Sequence, residues 1–564
     1  MTRTGHRYLA EAFAACGVSH FFHVPVVIAQ ATKDMMALGV QPIVNHSEKA
    51  AAYMADGYAR ASGRLGVCGC QQIGAANLAA GLADAFMARS PVLAIAGGGT
   101  AESRERHFYQ EYDQRPIYSG LTKFSARVEK AERLPDLLNL AMRAATTGAP
   151  GPVHLELAGF LGASFDTEFS AVHQPEPRFA RAPAVRYGAA PDDIAAAAHA
   201  LRSAERPIVV AGSGIRTGRA ESELRTFVHA LGLPLATSLD AKGALPESDP
   251  LYAGVCGNYS RDTANMSVAE ADLVVFVGST TGSMATRDWA VPRPGVATIQ
   301  IDIDPRELGR NYPLVAGLAG DPATVLDQLT AAAGEQPDRS AWLSRIGELR
   351  SQWAQRAQEV ETSEATPIRP ERLCRDVSDA LPDGALVVVD TGHSGAWAAR
   401  HIYLDRPGQG MLRAAGSLGW SYPASLGAKC AQPDRPVICF NGDGAFLYHF
   451  AEMETAMRYG INTVTVVNNN NAFSQENPIW QFKPEWDENW RFSPVSYAAV
   501  AEAFGCKAYQ VDKPSDLPSA LRSAVREKVP TIVEVMTDDA ILVPGPWSPS
   551  GVGHGVYAAP RPPA

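Results

Sequence analysis

Two short apolar segments in the last third of the chain each end in oxygen-bearing side chains. The segment RPVICFNGDGAF (435–446) runs into Gly442-Asp443-Gly444, and TVTVVNNN (463–470) ends at Asn470. The residues between them, HFAEMETAMRY (449–459), have a helical pattern. Because the strands of a right-handed βαβ unit are parallel, Asp443 and Asn470 are expected to emerge at one carboxyl edge of a sheet, where ligands bind.

The chemistry of this pair favours a magnesium ion that bridges to a diphosphate. A carboxylate and an amide carbonyl are the hard oxygen donors that Mg²⁺ prefers. The flanking glycines allow backbone N–H groups to approach phosphates, and the helix that follows presents its positive end. Alone, Gly-Asp-Gly is more often a plain turn, and asparagines often cap or turn the chain. Together, at the ends of consecutive strands, they predict a metal and diphosphate site.

The elements that position this pair repeat along the whole chain. Apolar runs of four to eight residues alternate with Ala-rich helical stretches, which is the pattern of parallel-sheet α/β units. Two stretches interrupt it, one rich in Pro and Ala (174–193) and one polar with a helical period (334–370), and both are interpreted as linkers. We therefore expect an α/β fold of three doubly wound parallel-sheet domains. The expected limits are 1–175, 190–335 and 368–545, with an irregular tail at 546–564 that is either a lid or a mobile end.

Composition excludes several classes of protein. The 564 residues are 46% hydrophobic and 20% charged, which is typical of a globular protein, and the net charge of −10 makes a nucleic-acid partner unfavourable. No apolar stretch approaches the roughly 18 residues that a membrane span needs, and MTRTGHRYLAEAF lacks the features of a secretory signal. Eight cysteines without CxxC spacing indicate neither a disulfide framework nor zinc. A cytoplasmic location and no membrane partner are expected.

The Gly-Asp-Gly…Asn-Asn pattern resembles the signature of the thiamine diphosphate (ThDP) enzymes. A second segment, HSEKAAAYMADGYARASGRLGV (46–67), is similar to a stretch of the acetohydroxyacid (acetolactate) synthase branch of that superfamily. This resemblance implies that Glu48 activates the cofactor. A carboxyl group bonded to N1′ of the aminopyrimidine favours the imino tautomer, which can take the proton from thiazolium C2. Taken alone, Glu48 would be interpreted as a surface glutamate in a helix's first turn.

The resemblance extends through the last third of the chain. DTGHSGAWAA (390–399) resembles a diphosphate-side loop, and AAGSLGWSYPASLGAK (414–429) resembles the run that places Leu418 as an apolar wedge between the two cofactor rings. Core packing would be compatible with the same position. The resemblance implies that Mg²⁺ is held by Asp443, Asn470 and the backbone carbonyl of Ala472. The implied cofactor-binding residues are Glu48, Asn77, Thr391, Gly392, His393, Ser394, Gly416, Leu418, Gly442, Asp443, Gly444, Ala445 and Asn470.

Other positions bear on the substrate. FYQEYDQ (108–114) is similar to a stretch that places Gln110 near the reacting carbon. The chain departs from the branch at HVPVV (23–27), where His23 appears and valines replace glycines. It departs again where Gln475 and Glu476 stand in place of an apolar wall. A glutamate buried there would indicate acid–base work or a polar substrate, whereas a glutamate turned to water would not.

The middle block resembles the family's central domain, which in some members holds FAD, in others ADP and in many nothing. The run GSTTGSMATRDW (278–289) departs from the stretch that usually contacts FAD, and it therefore argues against FAD. AGSGI (211–215) is only half of a dinucleotide fingerprint and does not support a nicotinamide enzyme.

These features predict a ThDP- and Mg²⁺-dependent carbon–carbon lyase or carboligase of the acetolactate synthase type. Such an enzyme acts on a 2-oxo acid or related carbonyl compound through a carbanion or enamine. The alternatives are a 2-hydroxyacyl-CoA lyase, a 2-oxoacid decarboxylase, and a non-catalytic scaffold with the same fold. Gln110 with His23 or Glu476 is assigned to proton handling at the substrate. The resemblance also implies a homodimer or homotetramer whose active site lies at the subunit interface.

Overall fold

The structure is a computed structural model that describes residues 2–25, 28–170, 175–476 and 490–549. It contains three six-stranded sheets whose strands all run parallel, each flanked by helices, and this confirms the predicted α/β class with three doubly wound domains. Strand Thr2–Thr4 also pairs antiparallel with Glu168–Ser170. In the described residues, no helix combines the length and the apolar character that crossing a bilayer would require.

The first sheet is built from the N-terminal part of the chain. Its central strands are buried on both faces, which explains why Gly66–Cys70 and Val92–Gly98 are continuous small and apolar runs. Cys68 and Cys70 are fully buried and pack as small hydrophobic side chains. The strands in spatial order are Gln41–Val44, His20–His23, Gly66–Cys70, Val92–Gly98, Val153–Ala158 and Phe124–Val128. The helices are Gly5–Ala15, Ala29–Ala37, Glu48–Ser62, Ala75–Met87, Arg115–Ser119 and Leu134–Thr146.

The middle sheet has the order of a doubly wound fold, with its first strand, Pro207–Ala211, in the centre. The polar stretch predicted as a linker after this sheet forms the 22-residue helix Ser340–Glu361, which buries Trp342 and Ile346. The strands in spatial order are Tyr252–Val255, Leu235–Thr237, Pro207–Ala211, Leu273–Val277, Ala297–Asp302 and Ala316–Ala319. The helices are Pro191–Ser203, Gly214–Thr217, Glu221–Leu231, Asp262–Glu270, Ser283–Thr286 and Pro322–Ala332.

The last sheet carries the predicted metal-binding pair. Strands Val437–Gly442 and Val464–Asn469 are neighbours, with Gly442 opposite Asn468, and the helix Glu452–Tyr459 lies between them in the chain, as predicted. The strands in spatial order are Gly410–Arg413, Leu386–Val389, Val437–Gly442, Val464–Asn469, Thr531–Met536 and Lys507–Val511. The helices are Pro370–Ala380, His393–His401, Ser421–Ala431, Asp443–Phe446, Glu452–Tyr459, Tyr497–Ala503 and Leu517–Ala524.

The first and last sheets are joined by a close crossing of two helices, Glu48–Ser62 and Ser421–Ala431. A Cβ atom on Gly57 would lie 2.0 Å from the carbonyl oxygen of Ala424, and one on Gly427 would lie 1.9 Å from that of Met54. Only glycine permits this approach on both sides. The crossing fixes the first sheet against the last within one chain.

Candidate active site

A cavity of about 440 Å³ opens at the carboxyl edge of the last sheet. This is the edge at which ligands bind in parallel α/β folds. Its walls contain most of the residues that the sequence assigned to the diphosphate and the metal. These are Thr391, Gly392, His393, Ser394, Leu418, Gly442, Asp443, Gly444, Ala445, Asn470 and Ala472.

Asp443 lies in the floor of this cavity and is almost completely buried. Its two carboxylate oxygens accept hydrogen bonds from the backbone N–H of Gly444 (2.7 Å) and of Asn470 (3.0 Å). Burial raises the pKa of Asp443 to about 6, against the effect of the N–H groups that point at it. A buried carboxylate with so few charged neighbours is a site that a cation would complete.

Asn470 follows the next strand and is oriented by its own amide. Its Nδ2 donates to Ser474 Oγ at 2.6 Å, which leaves the amide carbonyl oxygen as the atom able to bind a cation. The preceding Asn469 is anchored below the edge because its Nδ2 donates to the buried Glu534 at 2.7 Å. The donor set of a carboxylate, an amide carbonyl and the nearby backbone of Ala472 therefore fits a hard cation such as Mg²⁺.

Two glycines at this edge leave room that a side chain would fill. A Cβ on Gly444 would lie 2.4 Å from the ring of Phe473, and one on Gly442 would lie 3.1 Å from Ser394 Oγ. Gly392 has φ +68°, a conformation that favours glycine, immediately before the helix His393–His401. The first residues of that helix and the two glycines form a concave surface that fits a diphosphate.

His393 is a neutral rather than a cationic member of this surface. Burial lowers the pKa of its imidazole to about 4, so the ring is uncharged near pH 7. Its ring meets that of Trp397 edge-on, with centroids 6.3 Å apart. His393 could therefore donate or accept a hydrogen bond there but would add no positive charge.

Asp390 ties two walls of the cavity together, and sequence reasoning did not single it out. This fully buried carboxylate accepts from the backbone N–H of Thr391 (3.0 Å), Gly419 (3.0 Å) and Ser421 (2.8 Å). Its bonds hold the loop that begins at Thr391 against the segment that carries Leu418. The sequence feature that could have identified Asp390 is its position directly after a predicted strand.

Asp84 supplies a second connection that the sequence did not reveal. Asp84 lies on the buried side of helix Ala75–Met87, and its carboxylate accepts from the backbone N–H of Ala415 (2.9 Å), Gly416 (3.1 Å) and Ser417 (2.9 Å), and from Arg60 Nη2 (2.6 Å). Gly416, predicted to contact cofactor, is thus held by the first domain. Leu418, two residues later, lines the cavity.

Glu48, Asn77 and Gln110 lie together at the carboxyl edge of the first sheet. Asn77 Nδ2 donates to Glu48 Oε2 at 3.2 Å, and the backbone N–H of Ile73 donates to Gln110 Oε1 at 3.2 Å. A Cβ on Gly74 would lie 2.5 Å from Glu48 Oε1. Glu48 is half-buried in the first turn of its helix, which Ser47 caps by accepting from the backbone N–H of Ala50.

The cavity at the last sheet and the group of Glu48, Asn77 and Gln110 at the first sheet are separate within one chain. Among the described residues, those that line the 440 Å³ cavity come from Tyr259 and from 391–475, and Glu48 is not one of them. The structure therefore brings together the predicted diphosphate and metal residues in one group, and Glu48, Asn77 and Gln110 in another.

His23 ends its strand at the same edge of the first sheet. It is buried and stacks on Phe21 with ring centroids 4.9 Å apart, while its Nδ1 lies 3.1 Å from the carbonyl oxygen of Val24. Burial lowers the pKa of His23, and among the described residues its Nε2 has no hydrogen-bond partner. Val26 and Val27 lie outside the described residues, as does the side chain of Glu476.

The cavity also contains residues that sequence reasoning did not assign to it. Gln475, noted as a departure from an apolar wall, lines it, and its buried Oε1 has no hydrogen-bond partner within the ranges that the structure describes. Tyr259 reaches in from the middle domain. The motif spacing within the last sheet could not identify Tyr259, because this residue belongs to the middle domain. The remaining unassigned wall residues are Trp397, Tyr448, Asn468, Phe473 and Ser474.

Three family models match the chain in order. The N-terminal TPP binding domain of thiamine pyrophosphate enzymes matches residues 3–117, the central domain matches 194–329, and the C-terminal TPP binding domain matches 390–535. The chain is 31% identical to a probable acetolactate synthase large subunit of Methanocaldococcus jannaschii, over 89% of this chain and 86% of that protein.

Two further relatives cover nearly the full length. The acetolactate synthase isozyme 2 large subunit of Escherichia coli is 29% identical, over 95% of this chain and 96% of that protein. A putative thiamine pyrophosphate-containing protein of Bacillus subtilis, YdaP, is also 29% identical, over 96% of this chain and 93% of that protein. The chain therefore belongs to the thiamine pyrophosphate enzyme family and is an acetolactate synthase-like, thiamine diphosphate-dependent enzyme.

Proposed function

We propose that this enzyme is a Mg²⁺-dependent carbon–carbon lyase or carboligase that acts on a 2-oxo acid or a related small carbonyl compound. The observation that carries the proposal is the pairing of Asp443 with Asn470 at adjacent strand ends, in a cavity whose glycines leave room for a diphosphate. The names of the relatives support the acetolactate synthase type.

In this proposal Asp443, Asn470 and the carbonyl of Ala472 hold Mg²⁺, while Thr391, Gly392, His393 and Ser394 with Gly442, Gly444 and Ala445 bind the diphosphate. When bound, the cofactor supplies a carbanion at thiazolium C2 that adds to a carbonyl carbon. Leu418 would be the apolar wedge that positions the two rings, and its segment is kept in place by Asp84 and Asp390. The proposed domain limits stay 1–175, 190–335 and 368–545.

Glu48 is proposed to hold a proton at N1′ of the pyrimidine, with Asn77 orienting its carboxyl group. The cavity lining does not include Glu48 of the same chain, which supports a homodimer or homotetramer in which Glu48 of one copy serves the cavity of another. Gln110 and His23 end at the same sheet edge as Glu48 and are proposed to position and exchange protons with the substrate, together with Glu476.

His23 suits this role because its ring is neutral near pH 7 and no residue in the described part of the chain bonds to its Nε2. A neutral imidazole with one free nitrogen can accept a proton or donate one, depending on its tautomer. Gln110 accepts a hydrogen bond from the backbone N–H of Ile73, in the loop that follows strand Gly66–Cys70, so substitutions in that loop should change substrate preference.

The experiment is a search for the covalent adduct of substrate and cofactor. The ThDP- and Mg²⁺-loaded enzyme is mixed with pyruvate and with a panel of longer 2-oxo acids, quenched in acid and analysed by mass spectrometry. We expect an adduct with at least one 2-oxo acid and none in Glu48→Gln, with Glu132→Gln as an exposed control that behaves like wild type. Absence of any adduct from the loaded wild-type enzyme would contradict the proposed reaction.

A further inference from the structure

A second cavity, of about 390 Å³, lies where the three domains meet. Its walls come from the end of helix Glu48–Ser62, from the segment that follows strand Pro207–Ala211 of the middle sheet, and from the edge strand of the last sheet, Gly410–Arg413. None of the residues predicted to bind ThDP or Mg²⁺ lines it.

Arginine dominates the charge of this cavity. Arg216, Arg219, Arg225 and Arg435 line it, and in the part of the chain that the structure describes none of the four forms an ion pair with a carboxylate. Their hydrogen bonds go to neutral oxygens instead. Arg216 donates to the backbone carbonyls of Asp240 (3.3 Å) and Lys242 (3.2 Å). Arg435 donates to those of Gly384 (2.6 Å) and Gly408 (2.8 Å) and to Gln432 Oε1 (2.9 Å).

The other two arginines are held in the same way. Arg225 Nε donates to the carbonyl of Ala244 at 2.9 Å, and Arg219 donates to that of Ser62. Carbonyl partners fix the direction of a guanidinium group without neutralising it.

The remaining charged residues of the wall leave an excess of positive charge. Asp240 is engaged by Arg413, through bonds of 3.0 and 3.1 Å, and Arg60 is engaged by Asp56 and Asp84. Glu221 is the remaining acidic residue of the wall. Four arginines thus face one carboxylate.

Arg216 and Arg435 converge on one point above Gly410. A Cβ placed on Gly410 would lie 3.5 Å from Arg216 Nη1 and 3.4 Å from Arg435 Nη2. Burial, together with the nearby positive charge of Arg216, lowers the pKa of Arg435 to about 10. Holding two cations around an open space costs free energy that an anion between them would recover.

We propose that this cavity, hereafter the arginine cavity, is a binding site for a small dianion that carries a phosphate group or paired carboxylates. Planar guanidinium groups match both anions through two parallel hydrogen bonds. The volume accommodates a small metabolite rather than a macromolecule. The ligand contacts all three domains and therefore stabilises their assembly.

Gly410 offers a test that leaves every arginine in place. In Gly410→Asp the new carboxylate lies between Arg216 and Arg435 and occupies the site from within, whereas Gly410→Ala adds only a methyl group at ordinary contact distance. Ligands that bind only the folded state raise the melting temperature. Enzyme saturated with ThDP and Mg²⁺ is titrated with inorganic phosphate and, separately, with malonate, by thermal shift and calorimetry, with sodium chloride at matched ionic strength as the reference.

We expect saturable binding of one anion per chain to wild type and Gly410→Ala, and binding at least tenfold weaker in Gly410→Asp. Arg216→Gln is a second variant with the same expected loss, and Arg526→Gln, an exposed arginine of the last domain, should bind like wild type. Tighter binding of phosphate or of malonate identifies the group that the site prefers. Equal binding in wild type, Gly410→Asp and Arg216→Gln, or no saturable binding of either anion to wild type, would overturn the proposal.

Discussion

Replacing Asp84 by asparagine should destabilise the enzyme at the junction that carries Leu418. The carboxylate of Asp84 is buried and accepts four hydrogen bonds, three from consecutive backbone N–H groups at 415–417 and one from Arg60. Asparagine has the same shape but presents one N–H₂ group where the aspartate has an oxygen. At least one donor then faces another donor, and Arg60 keeps only Asp56 as a counter-charge.

The magnitude follows from the burial of this ion pair. Arg60 and Asp84 are almost inaccessible to water, with 7% and 0% of their side chains exposed. A buried N–H donor left without its acceptor costs about 1–3 kcal/mol, and more if it is charged, and Asp84→Asn leaves at least one backbone N–H or Arg60 N–H in that state and weakens the other bonds. We therefore expect Asp84→Asn to lower the free energy of unfolding by about 1–3 kcal/mol or more and to weaken ThDP binding, since the segment 415–418 loses its support.

Urea unfolding followed by circular dichroism at pH 7 measures the first effect, and calorimetry with ThDP and Mg²⁺ measures the second. Asp136→Asn, at the first turn of helix Leu134–Thr146 in the same domain, is the matched control. Its partner Arg133 is 61% exposed, so the loss should stay below about 1 kcal/mol. If Asp84→Asn were no more destabilising than Asp136→Asn, the hydrogen bonds of Asp84 to residues 415–417 and to Arg60 would not have the energetic role assigned to them.

Three further outcomes are expected. Gly444→Val should abolish ThDP binding in calorimetry while the far-ultraviolet spectrum stays native, because its Cβ would lie 2.4 Å from Phe473; wild-type affinity would contradict the tight fit. Glu247→Gln should cost about 3–5 kcal/mol in urea unfolding, since it leaves the buried cations Lys242 and Arg261 without their shared carboxylate; a loss under 1 kcal/mol would contradict this. Burial lowers the pKa of His154 to about 3 in the folded protein. As the pH falls below 6.5, the unfolded state therefore binds a proton that the folded state does not, and the folded state becomes less stable. His154→Gln should therefore reduce the slope of unfolding free energy between pH 6.5 and 4 by up to about 1.4 kcal/mol per pH unit, and an unchanged slope would contradict this.

The last sheet and the position of Asp443 and Asn470 at its edge could be predicted from the sequence because both are local. Asp443 and Asn470 each follow an apolar strand directly, and one short helix separates the two strands. Parallel pairing then brings their ends together without any knowledge of distant contacts. The three-domain α/β architecture followed from the same repeated pattern.

The supports of the site were not predictable in this way. Asp84 and Asp390 bind backbone N–H groups, and any residue type at the donor position provides those groups. No pattern of side chains therefore marks the partners, which in the case of Asp84 lie 331–333 positions away. Tyr259 enters the cavity from another domain, and the cluster of unpaired arginines becomes visible only where three domains meet.

Hydrogen–deuterium exchange at C2 of bound ThDP, followed by NMR after acid quench, tests the central claim most directly. The claim is that Glu48 promotes proton removal from a cofactor held at the Asp443–Asn470 edge. In Glu48→Gln we expect exchange to be slower by at least about a hundredfold. Calorimetry should still detect ThDP binding in that variant, since Asp443 and Asn470 are intact. Exchange at the wild-type rate in Glu48→Gln would contradict the account.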